Sequence, residues 1–290
     1  MKFLTPIKRV VLAAAAVTLL AAPAFAERTA EPLRSPPGGF SDEGPFGASD
    51  KTAYQAQLQR GFKVWQEVCA SCHAMHLVHI RDLGGEGGPF WNPKYPNPND
   101  NPVVKAIAAR YQISDVDTTT GDPIKRPGAP ADAFPSPYPN ATAAAAANGG
   151  ATPPDHSTIA KAREGGAEYI YSLLTGYRDA PAGLKVGPGQ NYNPYYPGDL
   201  TAYWSGKGEV PKGGFIAMPQ PLKAGQVSYD DGTKNTLQQE SADVAAFLEW
   251  ASDPHADDRK EVGFGALIFL ILLSGVTYLS YKRIWRNVAH

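Results

Sequence analysis

Cys69-Ala70-Ser71-Cys72-His73 constrains this chain more than any other stretch of it. Two thiols three positions apart lie about one helical turn from each other. Both can therefore add to the two vinyl groups of a single haem, and the adjacent imidazole then falls onto the iron. They are the only 2 cysteines in 290 residues. A disulfide between them would close a tiny loop and restrain little of the unfolded chain. A thioredoxin-like C-x-x-C needs a βαβ context, which the surrounding pattern does not supply. The motif reads as a c-type haem attachment site: one haem c bonded through Cys69 and Cys72, with His73 as the proximal iron ligand.

The two ends of the chain set its compartment. Lys2, Lys8 and Arg9 precede an apolar stretch from Val10 to Ala22, and Ala24-Phe25-Ala26 is a small-residue cleavage site. Residues 1–26 thus read as a bacterial secretory signal, removed on export. A second apolar run, Val262 to Tyr281, holds 20 residues without a charge, enough for a helix to cross a bilayer. Lys282, Arg283 and Arg286 follow it, with Tyr278, Tyr281 and Trp285 at interfacial depth, and the positive-inside rule puts residues 282–290 in the cytoplasm. Residues 27–261 are then a periplasmic domain tethered to the inner membrane. Without the signal and the tail, residues 27–262 carry a net charge of about −7, which suits a basic partner and does not suit nucleic acid.

Between those ends the pattern is helical and interrupted. A helix from Lys51 to about Val68, capped by Asp50, puts Leu58, Phe62 and Trp65 on one face and delivers the haem motif. Pro102 opens a helix from Val103 to Tyr111. Residues 114–156 have low propensity apart from the run Ala143–Ala147, and a loop of such length in a compact domain is usually functional. Ser157 caps a helix from Thr158 to Thr175 interrupted at Gly165-Gly166. Residues 177–235 lack periodicity. Thr236 and Gln239 form a capping box for a last helix to Ala251, with Val244, Phe247, Leu248 and Ala251 on its apolar face. Helices, irregular connections and little strand pattern predict an all-α domain wrapped round a cofactor, plus the C-terminal transmembrane helix.

A c-type electron carrier usually holds its iron with a second strong-field ligand, and a thioether there favours Fe(II). Met1 leaves with the signal, and Met75 lies too close to His73 to reach the opposite face. Met218 remains, in Ile216-Ala217-Met218-Pro219-Gln220-Pro221, where two prolines keep the chain extended. His76 and His79 share the difficulty of Met75, His255 adjoins the membrane helix and His290 lies beyond it. His156 is the competing ligand.

An ordered series of motifs surrounds these residues. Gln59-Arg60-Gly61-Phe62 leads into Val68–Met75, and Arg126-Pro127-Gly128 and Pro137-Tyr138-Pro139-Asn140 follow. Asn148-Gly149-Gly150-Ala151-Thr152-Pro153-Pro154-Asp155, Ala162-Arg163-Glu164-Gly165-Gly166 and Tyr171–Tyr177 come next. Asn193-Pro194-Tyr195-Tyr196-Pro197-Gly198, Met218, Asp230-Asp231-Gly232-Thr233 and Asp258-Arg259-Lys260 complete the set. Over essentially the whole mature chain this series resembles the cytochrome c1 family, the haem-bearing subunits of quinol–cytochrome c reductase (the cytochrome bc1 complex), in its bacterial form.

That resemblance implies a cytochrome c-like haem domain with long insertions, in which His73 and Met218 are the axial ligands. Arg163 and Tyr169 fall where the family contacts the haem propionates, and Asn148, Pro153 and Pro154 line the pocket. It implies electron relay from a reduced Rieske iron–sulfur protein to a cytochrome c-type acceptor, in a respiratory or photosynthetic chain. Cytochrome b is a further partner, within a dimeric complex. The chain itself would be a non-catalytic subunit, with no general acid, base or nucleophile. Three features depart from the family pattern: Ala217 precedes Met218 and Pro219-Gln220-Pro221 follows it, Ile80 stands where a tyrosine is common, and the extra cysteine pair of some bacterial members is missing. The alternative function is a membrane-anchored monohaem cytochrome that donates electrons to a terminal oxidase. A peroxidase-like enzyme would need an open iron position, which Met218 argues against.

Overall fold

Apolar side chains at positions 54, 58, 62 and 65 recur with the period of a helix, and in the computed structural model they lie, with Gly61, on the buried face of α1, Lys51–Glu67. The structure describes residues 30–37, 39–40, 43–44, 47–48 and 51–287. The proposed signal at 1–26, the expected cap Asp50 and the last three residues of the tail lie outside the described residues.

Four more helices build the domain: α2 (Pro102–Ala108), α3 (Ala141–Ala147), α4 (Gly166–Leu174) and α5 (Leu237–Ala251). α5 packs against both α1 and α4 and is buried on nearly every side. The expected face of α5 is in the core, with Val244 and Phe247 fully covered. Aromatic rings fill the space between α1 and α5: Phe62 meets Phe247 at 5.6 Å between centroids, and Trp65 meets Phe134 at 5.1 Å.

The two helices touch at Gly61, where a Cβ would stand 2.0 Å from the backbone oxygen of Asp243. Beside that contact Arg60 donates from Nε and Nη2 to the two carboxylate oxygens of Asp243, at 2.9 and 3.1 Å. Burial raises the pKa of Asp243, and Arg60 opposes the rise. Arg60 also reaches Asp231 at 2.8 Å, and Lys63 reaches Asp230 at 2.8 Å, so the Asp230-Asp231 motif clamps the chain before α5 onto α1.

Several expectations change. α2 stops at Ala108, three residues short. Ser157 caps no α-helix: residues 157–165 form a series of turns, in which the Ala160 amide donates to Ser252 Oγ at 3.2 Å. Helix α4 begins only after Gly165, whose φ of +88° breaks the helical path. Thr236 accepts from the Gln239 amide at 3.2 Å, but the Gln239 side chain turns to Asp243, so only half of the capping box forms.

The all-α expectation gives way to a mostly helical fold. Among the described residues are three two-stranded antiparallel ribbons: β1 (Glu43–Gly44) with β2 (Gly47–Ala48), β3 (Gln112–Val116) with β4 (Pro123–Pro127), and β5 (Asn191–Asn193) with β6 (Gly214–Ile216). The β3–β4 hairpin begins two residues before the low-propensity stretch 114–156 and occupies its first part. Both its faces are mainly exposed, so it carries no alternation of polar and apolar residues. It is held by Asp117, which accepts from the Thr119 amide, and by Arg126, which pairs with Asp115 and Asp132 at 2.6 Å each.

The last helix, α6 (Ala256–Trp285), contains the whole expected span Val262–Tyr281, and among the described residues none of its side chains is buried. It is joined to the domain through Asp253, which pairs with Lys161 and Arg259. Those two cations pull the Asp253 carboxyl down to about 2, Arg259 being the stronger.

Two outcomes follow. Gly61→Ala gains helix propensity but forces α1 and α5 apart, for a net loss of about 2 kcal/mol and a fall in Tm of roughly 4–8 °C by thermal denaturation. Asp253→Asn acts through pH. The depressed Asp253 contributes fully above its unfolded pKa, and the contribution disappears as pH falls from about 5 towards 2. The variant should lose about 1 kcal/mol at pH 7, given how exposed the two cations are, and should match wild type at pH 2 in denaturant melts.

Candidate haem-attachment site

Helix α1 ends at Glu67, and the chain tightens into a 3-10 turn over Cys69–Ser71. The amides of Cys72 and His73 both donate to Cys69 O, at 3.1 and 2.9 Å, which presents Cys69, Cys72 and His73 from one turn of backbone. The thiols are not joined to each other. Burial, with a smaller push from Cys72, raises the Cys69 thiol to about 12. A thiol that stays protonated is the reverse of the activated thiolate of a redox C-x-x-C pair.

His73 is buried, and its Nδ1 lies 2.8 Å from Pro154 O. A carbonyl oxygen only accepts, so Nδ1 carries the proton and Nε2 keeps its lone pair for a metal, as metal-ligating histidines are usually held. Desolvation lowers the pKa of the ring, which favours the neutral ligand form. Pro154 is held in place by cross-links from its own segment. The His156 amide donates to Ala74 O at 2.8 Å, Asp155 Oδ2 accepts from the His76 amide at 3.1 Å, and Ser157 Oγ accepts from the Leu77 amide at 2.9 Å. Residues 154–157 are thereby laced onto 73–77.

His156, the competing ligand, stacks on His73 with centroids 4.0 Å apart and planes 17° apart. It is held alongside the proximal imidazole, and its Nδ1 is buried without a partner. Met75 is fully buried in the hydrophobic core.

Met218 sits on a different scaffold. Strand β6 ends two residues before it, paired to β5 in the register Asn191↔Ile216, Tyr192↔Phe215 and Asn193↔Gly214. The Asn191 side chain donates to Ile216 O at 3.2 Å and Ala217 O at 3.4 Å, and the Tyr177 hydroxyl donates to Met218 O at 3.0 Å. Asn193, fully buried, donates to Leu173 O at 2.8 Å and so ties this ribbon to the end of α4. Met218 is partly buried and packs against the same core as Cys69, Ala70 and Tyr169.

Arg163 is exposed on the turn before α4, and Tyr169 is buried within that helix. The guanidinium neighbours the phenol, partly offsetting the rise that burial gives the Tyr169 pKa. Asn148 makes local bonds, from Nδ2 to Tyr138 Oη at 3.1 Å and to Ala144 O at 2.7 Å, at the end of α3. Pro153 is half-buried just before Pro154. The structure thus joins His73 to Pro154, Arg163 to Tyr169, and Met218 to Tyr177, whereas Asn148 keeps its amide within its own segment. Tyr177 and Asn191 were not singled out from the sequence. Tyr177 ends a quoted motif, but nothing in the pattern says what its hydroxyl reaches.

Two unpaired thiols on one turn and a neutral imidazole with Nε2 free are the donor set a c-type haem requires, so these residues fit that group.

Residues 40–288 match the Cytochrome C1 family. The chain is 39% identical to the cytochrome b/c1 of Bradyrhizobium diazoefficiens over 95% of its own length and 40% of that longer protein. It is 38% identical to cytochrome c1 of Rhodospirillum rubrum over 99% of both chains. It is 40% identical to the mitochondrial cytochrome c1 heme protein of Saccharomyces cerevisiae, over 88% of this chain and 74% of that one.

Replacing Cys69 and Cys72 together by Ala should abolish covalent haem, because the sequence holds no other thiol. Haem stain on a denaturing gel is the measurement, and a stained band from the double variant would refute attachment at this motif.

Proposed function

We propose a function from one premise: the chain belongs to the cytochrome c1 family, and is the haem-bearing electron-transfer subunit of a cytochrome bc1 complex. In the finer reading, a haem c is bonded through Cys69 and Cys72, with His73 and Met218 as axial ligands. Arg163 and Tyr169 serve the propionates, and Asn148, Pro153 and Pro154 line the pocket. When bound, that haem supplies a one-electron Fe(III)/Fe(II) couple. The observation that carries the reading is the 2.8 Å bond from His73 Nδ1 to Pro154 O, which leaves Nε2 as the free donor beside two unpaired thiols. The stacking of His156 on His73 supports Met218 as the ligand of the far face, because His156 is committed to the proximal side.

The chain's own residues bind, orient and shield. Burial keeps His73 neutral, the Arg163 guanidinium offers a charge-assisted partner for a carboxylate, and no acid–base step is assigned to any side chain. The relay runs from a reduced Rieske iron–sulfur protein to a cytochrome c-type acceptor, with cytochrome b as the membrane neighbour in a dimeric complex. Three cations, Lys282, Arg283 and Arg286, follow the span and two, Arg259 and Lys260, precede it, a bias that supports a periplasmic haem domain (27–261), a span at 262–281 and a cytoplasmic C-terminus. The net charge of about −7 over residues 27–262 favours a basic acceptor.

Met218→Leu keeps the apolar volume and removes the thioether. The haem midpoint should fall by roughly 200 mV or more, within the ~0.8 V that axial ligation spans, and quinol oxidation should stall in a complex that still assembles. Redox titration of the haem absorbance measures it, and an unchanged midpoint would eliminate Met218 as the ligand.

A further inference from the structure

Beyond the groups that would touch the haem, a tyrosine side chain bonds directly to the carbonyl of the proposed distal ligand. Tyr177 lies three residues past the end of α4, and its hydroxyl donates to Met218 O at 3.0 Å. The turn that carries it is tightly fixed: a Cβ at Gly176 would stand 2.4 Å from Tyr195 Cδ2 and 2.6 Å from Ser172 O. On the ribbon side, the Asn191 amide holds Ile216 O and Ala217 O. Beyond Met218, Pro219 and Pro221 have no amide hydrogen to donate, so no ladder continues there. Tyr177 therefore secures the one stretch of backbone between the end of the β5–β6 pairing and the proline run.

We propose that Tyr177 is a positioning residue for the Met218 thioether: by holding the ligand's own carbonyl it presents the side chain in a single backbone setting. This rests on Met218 being the axial ligand and adds the group that keeps it in place. A thioether is a weak ligand for Fe(III), so the ferric state is where a loosened Met218 gives way to a competitor.

The test uses the full-length haem-loaded protein in detergent, as wild type, Tyr177→Phe and Met218→Leu. Ferric protein is titrated with imidazole as the competing ligand, and the midpoint potential and Tm are recorded alongside. Tyr177→Phe keeps the ring and removes one hydrogen bond, so the variant should fold with a Tm near wild type. Its apparent affinity for imidazole should rise about five- to tenfold, the equivalent of one intramolecular hydrogen bond, and its midpoint should fall by less than that of Met218→Leu. Wild-type imidazole affinity and midpoint in Tyr177→Phe, with Met218→Leu shifted in both, would overturn the role of Tyr177 alone. No shift in either variant would overturn the ligand assignment on which it rests.

Discussion

A 2.8 Å hydrogen bond between His73 Nδ1 and Pro154 O joins two stretches of chain 81 positions apart and decides what the imidazole can do. Proline is well suited to the task. It has no amide hydrogen, and its restricted φ holds the preceding segment extended. The carbonyl is aimed because Asp155, His156 and Ser157 are each bonded back onto residues 74–77. Without that lacing the tautomer would be free to switch, and Nε2 could carry the proton instead of its lone pair. The buried stack of His156 on the same ring then limits its rotation.

The turn that presents Cys69, Cys72 and His73 inherits its position from α1, and α1 is placed by its contact with α5. A Gly61 without side chain and a fully covered Asp243 carboxylate make that contact close and register-specific. Burying Asp243 is unfavourable by itself, which the upward shift of its pKa records. Arg60 from α1 and Gln239 from α5 itself satisfy its oxygens, so the buried carboxylate is compensated when the two helices meet in this alignment. Hydrophobic burial by Phe62, Trp65 and Phe247 would tolerate a slip of one turn more readily than this pair does.

Periodicity revealed α1 and α5 in the sequence because each has one strongly apolar face and a polar remainder. The β3–β4 hairpin was hidden for the opposite reason: with both faces exposed, residues 112–127 carry no burial pattern, and the turn chemistry at Asp117 was the only signal. The nine residues after His156 have helix-compatible composition, but Ser252 takes the Ala160 amide and Gly165 adopts a positive φ, which no local propensity foretells. At the site, Cys69, Cys72 and His73 were legible from spacing because thioether chemistry fixes that spacing. Met218 came from elimination and resemblance. The bonding partners of these residues, Pro154 to His73 and Tyr177 to Met218, are contacts over 81 and 41 positions, and sequence pattern carries no information at that range.

The two residues proposed as axial ligands consequently depend on different kinds of structure. His73 is continuous with the helical core, so a change that loosens it also loosens α1 and its contacts. Met218 packs against the same core, but its backbone hangs from a three-residue ribbon and from side-chain bonds to backbone carbonyls, and Tyr192 of that ribbon belongs to a small separate cluster with Leu184 and Leu200. Removing one such bond leaves the main core intact. On the proposed ligation, the hold on the Met218 thioether can therefore vary through bonds such as that of Tyr177 with little change to the main core. The proposed attachment motif and the docking of α1 on α5 remain coupled, because one continuous segment serves both.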